Sequence, residues 1–304
     1  MLTVTLNPSL DLSASVPVVE PERKLRCTEP VGEAGGGGVN VARVALRLGR
    51  DAVALFPSGG SNGAAVATLL AAEGVKLRLV DIDGSTRSSL AVTDASNGHQ
   101  YRFSMPGPTL SDAERAEIAV AVEAAAADQS VVVISGSNPP GTPEGYIAEL
   151  IGRCGDARVV VDTSGPALAE AAAAGVALVK PNVNELVAFA GEELHDQHAY
   201  EAAGRQLLAL GATEAALISL GPAGALLIEH DGPATRIPAP SVRVVSTVGA
   251  GDSMVAGAST ALDTGQSMVD AARLGVAAGA AAVITPGTEL CRPADIERLL
   301  PLTR

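Results

Sequence analysis

The feature that most constrains the fold is a regular alternation of short β-branched runs and Ala-rich segments along most of the 304 residues. Runs such as VVVI at 131–134 have the length of a buried strand, whereas 113–127 carries apolar residues at helical spacing. Alternating strands and helices form parallel sheets joined by right-handed crossovers. We therefore predict an α/β fold with a doubly wound, mostly parallel sheet flanked by helices.

This alternation predicts the individual elements as well. Strands are predicted at 3–6, 52–56, 77–80, 131–134, 159–161, 177–179 and 216–219, and helices at 39–48, 63–72, 113–127, 144–153, 166–174, 198–210, 251–263, 268–284 and 293–299.

Two segments, about 12–31 and 86–105, break the rhythm and alternate apolar with polar residues instead, as in HQYRFSM at 99–105. This pattern, with a Ser-Asn-Gly turn at 96–98, is typical of a half-exposed hairpin. We predict that residues 1–304 form a single domain and that these segments build a small antiparallel sheet inserted in it as a lid. Lids exclude water from a site. We also expect the exposed lid to mediate a homodimer.

Charge and composition exclude several classes of partner. The net charge is −13, Trp is absent, and only three Tyr and three Phe occur, so the chain lacks both the positive field and the stacking surfaces of a nucleic-acid-binding protein. Apolar runs fall short of the ~20 residues that span a bilayer. An odd number of dispersed cysteines fits a reducing compartment and no zinc site. We expect a cytoplasmic protein without nucleic-acid or membrane partners.

Two common nucleotide-binding motifs are missing. A P-loop needs a lysine after a glycine, and none of Lys24, Lys76 and Lys180 follows one. The dinucleotide fingerprint G-x-G-x-x-G does not occur in either GGGGVN at 35–40 or GAGDSM at 249–254. The sequence therefore argues against P-loop chemistry and against hydride transfer with a Rossmann-bound cofactor.

The first of three glycine-rich segments, GGGGVN at 35–40, opens a predicted helix. Glycines let a small polyhydroxyl ligand approach the backbone, and Asn40 can both donate to and accept from a hydroxyl. Helix N-termini also present unpaired amides to polar ligands. A flexible turn without a binding role is the alternative interpretation, and it stays open at this stage.

The second glycine-rich segment, TVGAGD at 247–252, precedes an apolar helix. The free amides of Ala250, Gly251 and Asp252 would point at one spot at the positive end of the helix dipole, which suits a transferring phosphoryl group. Asp252 stands where a carboxylate could take a proton from an attacking hydroxyl. An Asp near a helix start is also a common cap, so both roles remain open.

The third segment, SLGPAGA at 219–225, reads as a strand followed by a tight turn. Upstream, KPNVNE at 180–185 ends a strand and begins a helix. Asn182 and Glu185 lie three residues apart on one helical face and could hold a hydrated Mg²⁺ between them. A capping box, with Asn at the cap and Glu three residues later, explains the same spacing equally well.

Taken together, these motifs resemble a known family. NPSLD at 7–11, GGGGVN at 35–40, KPN at 180–182 with Glu185, SLG at 219–221 and GAGD at 249–252 resemble the PfkB (ribokinase-like) carbohydrate kinases, in order along nearly the whole chain. KLRC at 24–27, YRF at 101–103, SGS at 135–137, PPG at 139–141 and STVGAGDSM at 246–254 resemble the bacterial 6-phosphofructokinase branch, as do GT at 287–288 and LC at 290–291.

The resemblance implies a ribokinase-like fold and an ATP-dependent, Mg²⁺-requiring kinase that transfers the γ-phosphoryl group to the C1 hydroxyl of fructose 6-phosphate. Fructose 1-phosphate or tagatose 6-phosphate is the alternative acceptor, and a sugar-phosphate sensor without catalysis is the alternative class. The resemblance also implies site residues. They are Asp252 as base with Gly249, Ala250 and Gly251 beside it; Asp11, Lys24, Arg26, Gly36, Gly37, Asn40, Arg87 and Ser137 for the sugar phosphate; Lys180, Asn182, Asn184, Ser219, Gly221 and Gly224 for ATP; Asn182 and Glu185 near Mg²⁺; and Ser246, Val248, Ala282, Thr285 and Gly287 for a monovalent cation, K⁺.

Two positions depart from the family pattern. Ser246 stands where many members carry Asp, so it cannot supply a charged ligand. Asn138 stands where Leu is usual, beside the sugar contact Ser137, and its polar side chain could alter which sugar phosphate is preferred.

Overall fold

The computed structural model describes residues 1–285 and 289–304. Thirteen strands form from these residues. They are β1 (Leu2–Val4), β2 (Ser9–Val16), β3 (Val31–Gly35), β4 (Val53–Ser58), β5 (Lys76–Asp81), β6 (Arg87–Asp94), β7 (Gln100–Ser104), β8 (Val131–Ser135), β9 (Arg158–Asp162), β10 (Leu178–Val179), β11 (Ala215–Ser219), β12 (Ala225–Glu229) and β13 (Thr235–Ile237).

Ten α-helices form from the same part of the chain. They are α1 (Gly37–Arg47), α2 (Gly60–Ala72), α3 (Asp112–Ala126), α4 (Tyr146–Gly152), α5 (Pro166–Ala174), α6 (Val183–Ala190), α7 (Gln197–Leu208), α8 (Ala250–Asp263), α9 (Met268–Val283) and α10 (Pro293–Leu299).

Nine strands form the main sheet, in the order β13-β12-β11-β10-β9-β8-β1-β4-β5. All neighbours from β11 to β5 are parallel, as the alternation predicts. The antiparallel edge strands β12 and β13 were not predicted. They follow a tight turn in which Gly224 has a φ of +95°, and a Cβ there would lie 2.1 Å from the carbonyl oxygen of Ile237. The glycine that reads as a turn thus allows a hairpin.

Helices cover both faces of the main sheet, and each face has its own core. The strand β8 shows the division, because Val131 and Val133 belong to one cluster and Val132 and Ile134 to the other. Helices α1, α2, α8, α9 and α10 pack on the first face, and α3 to α7 on the second. Each fully buried Val or Leu contributes about 1.5–3 kcal/mol. This double burial explains why the strands read as continuous apolar runs.

The lid is a separate four-stranded sheet in the order β3-β2-β6-β7. Its strands run from Ser9 to Gly35 and from Arg87 to Ser104, close to the predicted segments, although residues 17–30 contain no strand. The antiparallel prediction holds for β2–β3 and β6–β7 but is wrong for the central pair, since β2 and β6 are parallel over eight residues. The reason is topological: β2 follows β1 and β6 follows β5, so both strands leave the same edge of a parallel sheet in one direction.

Among the described residues, no helix combines the length and apolar character that crossing a membrane requires.

Candidate active site

The start of helix α8 is an open cluster of backbone amides. Its N-cap is Gly249, with a φ of +71°, and none of the described side chains caps it. A Cβ at Gly249 would lie 2.7 Å from a methyl carbon of Leu290, so both the turn and the packing require glycine. The first-turn amides of Ala250, Gly251 and Asp252 are therefore available to an anion at the positive end of the helix.

Asp252 lies in this first turn but does not cap it. Its Oδ2 accepts a hydrogen bond of 2.7 Å from the side-chain amide of Asn40, which comes from helix α1. The capping interpretation is therefore wrong, and the carboxylate is directed toward the other glycine-rich segment. Burial and, to a smaller extent, the Asp162 carboxylate raise the pKa of Asp252 to about 6, against the lowering effects of Asn40 and Lys180. A carboxylate with a pKa near 6 is ionised at neutral pH and basic enough to accept a proton.

Lys180 is buried next to this helix start. Its Nζ is 3.0 Å from a carboxylate oxygen of Asp162, and a Cβ built on Gly251 would lie 3.8 Å from the same nitrogen. Burial alone would lower the pKa of Lys180, but Asp162, Glu185 and Asp252 outweigh it and the pKa is raised. Lys180 therefore brings a fixed positive charge to the open amides.

Asp162 was missed in the sequence analysis. It ends strand β9, directly after three buried valines, and its other oxygen accepts from Ser135 Oγ at 3.4 Å. A polar residue at the carboxyl end of a buried parallel strand was the available signal, because ligand sites of open α/β sheets lie at that edge.

The glycines at the start of α1 are needed for close packing. A Cβ on Gly37 would lie 2.3 Å from Ser135 Oγ, and one on Gly36, whose φ is +120°, would lie 2.7 Å from a methyl carbon of Thr5. The helix thus begins directly against the ends of β1 and β8. This close approach places Asn40, one turn later, within reach of Asp252. The turn is therefore packed rather than flexible, and a binding role for its glycines stays a prediction.

Asp11 lies on the lid strand β2, between two serine hydroxyls. Its Oδ1 accepts from Ser9 at 2.7 Å and from Ser89 at 2.5 Å, and its other oxygen packs on Gly35, where a Cβ would lie only 2.1 Å away. Asp11 lines a cavity of about 510 Å³ together with Glu33 and Ser89. Ser89, which the sequence analysis missed, pairs with Asp11 across the parallel β2–β6 junction.

Arg87 and Ser137 meet at Asn7. Arg87 Nε donates to the carbonyl oxygen of Asn7 at 3.2 Å, and its Nη1 donates to Ser104 Oγ at 3.1 Å. The Asn7 amide donates to Ser137 Oγ at 3.3 Å and to the carbonyl oxygen of Asn138 at 3.4 Å. The structure therefore brings the predicted phosphate-binding arginine and the predicted sugar-binding serine to one corner of the lid base.

Lys24 and Arg26 are not brought together with these residues. Both are exposed on the loop 17–30 between β2 and β3, and neither has a hydrogen bond or ion pair within the described ranges 1–285 and 289–304. The loop itself is held at both ends, because Val19 N donates to Asp94 at 3.0 Å and Thr28 N donates to the carbonyl oxygen of Ser15 at 2.8 Å.

Asn182 and Glu185 form a complete capping box at the start of α6. Asn182 Oδ1 accepts from the Glu185 amide at 3.0 Å, and Glu185 Oε2 accepts from the Asn182 amide at 2.8 Å. The capping interpretation of this spacing is confirmed, and a role near Mg²⁺ stays a prediction. Burial raises the pKa of Glu185.

The other predicted nucleotide residues lie around the same sheet edge. Ser219 forms an isolated parallel bridge with Asn182, so the ends of β10 and β11 are adjacent. Gly221 and Gly224 flank the turn after β11 with φ angles of +57° and +95°, and Asn184 is exposed on the first turn of α6.

Four of the five predicted cation residues also come together. Ser246 N donates to the carbonyl oxygen of Val283 at 3.2 Å, Val248 N donates to Ser246 Oγ at 3.2 Å, and Thr285 Oγ1 donates to the carbonyl oxygen of Ala282 at 2.7 Å. The loop before α8 is thus packed on the end of α9. The fifth residue, Gly287, lies outside the described residues.

Comparison with known proteins gives a consistent result. Residues 5–295 match the family described as pfkB family carbohydrate kinase. The ATP-dependent 6-phosphofructokinase isozyme 2 of Mycobacterium tuberculosis is 41% identical over 304 residues, covering 99% of this chain and 89% of that protein. A 1-phosphofructokinase of Rhodobacter capsulatus is 35% identical over 305 residues, covering 99% and 95%.

Solved structures of phosphofructokinase-2 from Escherichia coli superpose on the whole chain. The complex with potassium has a TM-score of 0.94 at 40% identity, and the complex with fructose 6-phosphate has 0.91 at 39%; each covers 100% of this chain and 98% of that one. A third structure, of the tetrameric inhibited form, has a TM-score of 0.92 at 39% identity and covers 99% and 98%.

Proposed function

The chain belongs to the pfkB family of carbohydrate kinases, and from this premise we propose that it transfers the γ-phosphoryl group of ATP to the C1 hydroxyl of fructose 6-phosphate, giving fructose 1,6-bisphosphate and ADP. The observation that carries the proposal is the Asn40–Asp252 hydrogen bond. It places a carboxylate of raised pKa where the sugar-side glycines of α1 meet the open amides of α8. The relatives at 41% identity support the choice of acceptor.

In the proposed reaction, Asp252 accepts the proton of the C1 hydroxyl of the sugar. The oxygen of that hydroxyl attacks the γ-phosphorus of ATP. The new O–P bond forms while the bond to the ADP oxygen breaks. Amides at Ala250, Gly251 and Asp252 donate to the equatorial phosphoryl oxygens, and the Lys180 ammonium adds positive charge beside them. No covalent enzyme intermediate is needed, so positioning and charge supply the catalysis.

The sugar phosphate binds on the lid side. Asp11, Asn40 and Ser137 hydrogen-bond its hydroxyls, and the glycines at Gly36 and Gly37 keep the approach to the backbone open. Arg87 binds the 6-phosphate. Its guanidinium is held in place by Asn7 and Ser104, which supports this role, and a bidentate guanidinium suits a phosphate group.

Lys24 and Arg26 complete a site only in a homodimer joined through the lid. The lid register places Leu12, Leu90 and Phe103 side by side, on the face opposite to Asp11 and Ser89. Phe103 is 51% exposed in the single chain. An apolar sheet face of this kind is covered when a second copy docks, and the exposed 17–30 loop can then approach the neighbouring lid.

ATP binds at the ends of β10 and β11, with Lys180 toward its γ-phosphate and Asn182, Asn184, Ser219, Gly221 and Gly224 around the rest. The residues present fit Mg²⁺. Among the described residues no cluster of three or more metal-binding side chains occurs, and Mg²⁺ commonly binds one carboxylate together with phosphate and water oxygens. Glu185 supplies that carboxylate, near Asn182. The ion neutralises phosphate charge when bound.

A monovalent cation, K⁺, binds among the backbone oxygens and hydroxyls near Ser246, Val248, Ala282 and Thr285, with Gly287 as a further predicted ligand. The packing of this loop on α9, and the potassium in the related E. coli structure, support the site. Because the loop leads into Gly249, the cation would stiffen the amide cluster. We place the enzyme in the cytoplasm, where free thiols such as those of its three cysteines persist.

An acceptor panel tests the proposal. Coupled ADP release should give a kcat/KM for fructose 6-phosphate at least about tenfold above the values for fructose 1-phosphate and tagatose 6-phosphate. A higher value for fructose 1-phosphate would support the chemistry of the 1-phosphofructokinase relatives instead. No ADP release with any acceptor, alongside measurable binding of fructose 6-phosphate, would indicate a non-catalytic sensor.

A further inference from the structure

The side-chain amide of Asn40 is held at both of its ends. Its Nδ2 donates to Asp252 at 2.7 Å, and its Oδ1 accepts from Arg43 Nη1 at 3.4 Å. An Asn amide can rotate by a half turn, which exchanges its donor and acceptor. In the rotated form Oδ1 would face the Asp252 carboxylate, and two acceptors would stand opposite each other. The contact with Arg43 favours the orientation that donates to Asp252.

Arg43 is itself fixed in place, one turn after Asn40 on α1. It is 5% exposed, and its Nε donates to both carboxylate oxygens of Glu73 at 2.9 Å while Nη2 lies 2.7 Å from one of them. Nη1 also donates to the carbonyl oxygen of Ala34 at 3.3 Å. The guanidinium therefore joins the end of α2, the lid strand β3 and Asn40. The single ammonium of a lysine cannot reproduce this planar fork.

We propose that Arg43 is a positioning residue for phosphoryl transfer: anchored by Glu73 and Ala34, it sets the orientation of the Asn40 amide, which in turn orients the carboxylate of Asp252. The proposal rests on the proposed function, because it takes Asp252 as the base. Arg43 contacts Asn40 rather than the carboxylate of Asp252, so it acts on that carboxylate only through Asn40. Since Ala34 belongs to β3, the same contact connects the lid to the base.

The charges around these groups give the sign of the pH effect. The charges of Asp162 and Asp11 raise the pKa of Asp252, and that of Lys180 lowers it. Asn40 also lowers this pKa, because it donates a hydrogen bond to the carboxylate. Losing the Asn40 donor therefore raises the pKa of Asp252, and the acid limb of the kcat/KM profile moves to higher pH. Around Arg43 the charged neighbours are Glu73, Arg47 and Glu33, whose pKa is raised by burial.

A double-mutant cycle tests the proposal, using Arg43→Lys, Asn40→Ala and the combination. Arg43→Lys should lower kcat about 10- to 100-fold, as expected for a misplaced base, leave the KM for ATP within about twofold, and shift the acid limb upward. In the Asn40→Ala background the same substitution should change kcat by less than about twofold, because its effect has already been lost. Additive losses in the double mutant would overturn the proposal.

Arg50→Lys is the matched control. Arg50 also pairs with a carboxylate, that of Asp263, but does not contact Asn40, so kcat should be unchanged. If Arg43→Lys does not fold, Glu73→Gln takes its place: Glu73 is partly exposed, and the substitution should move the acid limb in the same direction by a smaller amount. An unmoved acid limb would overturn the proposal. A wild-type enzyme without kinase activity would contradict the proposed function, whereas additivity in an active enzyme contradicts only the role of Arg43.

Discussion

The main sheet and the lid use strands of similar length in opposite ways. Strand β8 is buried along its whole length, whereas every residue of the lid strand β7 is exposed. The difference follows from the helices, which cover both faces of the main sheet but leave most of the lid uncovered. The proposed base Asp252, Lys180 and the open amides of α8 adjoin the main sheet, while Asp11, Ser89 and Arg87 lie on the lid strands. In the proposed function, proton transfer therefore takes place beside the main sheet, and the lid supplies part of the sugar-phosphate site.

Replacing the proposed base, Asp252, should produce the largest fall in kcat of all the changes considered. Asp252→Asn keeps the shape and the Asn40 contact but cannot accept a proton, so kcat should fall by about 10²- to 10⁴-fold with ATP affinity nearly unchanged. Single-turnover kinetics and ATP titration measure the two quantities. Retained turnover would refute the role of Asp252 as base.

The same substitution, Asp252→Asn, should lower activity but raise the stability of the protein at neutral pH. The pKa of Asp252 is about 6 in the folded protein and about 3.8 when unfolded, so stability is lost as pH rises through this interval. Asp252→Asn removes that loss and should raise the free energy of unfolding at pH 7, as thermal melting can test. The same melting temperature for both proteins at pH 7 would contradict the raised pKa.

The pH profile should separate the two sheets. Asp252 must be ionised to act, so kcat/KM should fall about tenfold per pH unit below about 6. The lid carboxylate Asp94 has its pKa lowered, chiefly by the Ser96 hydroxyl, so it stays ionised across this range and continues to hold Val19. Hydrogen exchange of the lid amides should therefore not change in its protection between pH 7 and 5. Loosening of the lid at the same pH as the loss of activity would refute this separation.

Truncating buried side chains should cost more in the main sheet than in the lid. Leu217 on β11 is fully buried, and Leu217→Ala should lower the free energy of unfolding by about 2–5 kcal/mol. Leu90 on β6 is only partly buried, so Leu90→Ala should cost well under half of that. Denaturant unfolding of the two variants tests the difference. Equal losses would mean that the lid face is covered in solution.

Substitution of Phe103 should have the smallest effect on the stability of the single chain and the clearest effect on dimer formation. Phe103→Ser changes a side chain that is already half exposed, so the unfolding free energy of the monomer should move by less than ~0.5 kcal/mol. The dissociation constant of a lid-mediated dimer should rise about tenfold or more. Val120→Ser, at an equally exposed position on α3, serves as the control for sedimentation analysis. An unchanged association constant would exclude the lid as the interface.

Much of the fold could be predicted because burial on both faces leaves a local signal. The parallel strands from β1 to β11 and most helices lie within two residues of their predicted bounds. The lid was located for the same reason, since half-exposed strands alternate. The predicted antiparallel pairing of β2 with β6 was wrong. The direction of pairing between segments 78 residues apart depends on where each strand leaves the main sheet, and local patterning does not encode this.

The layered α/β architecture, the lid segments and the glycine-rich turns can be read from the sequence alone, because periodicity and glycine placement act within a few residues. The folded chain was needed to show that Asp252 faces Asn40, 212 residues away, rather than capping its own helix, and that Asp162 and Ser89 lie beside the candidate site residues Lys180 and Asp11. It also showed the capping box of Asn182 and Glu185. Hydrogen bonds and charge pairs form only between atoms that lie close together in space. Folding brings strand ends that are distant in the sequence to one edge of the sheet and so places these atoms within reach of each other.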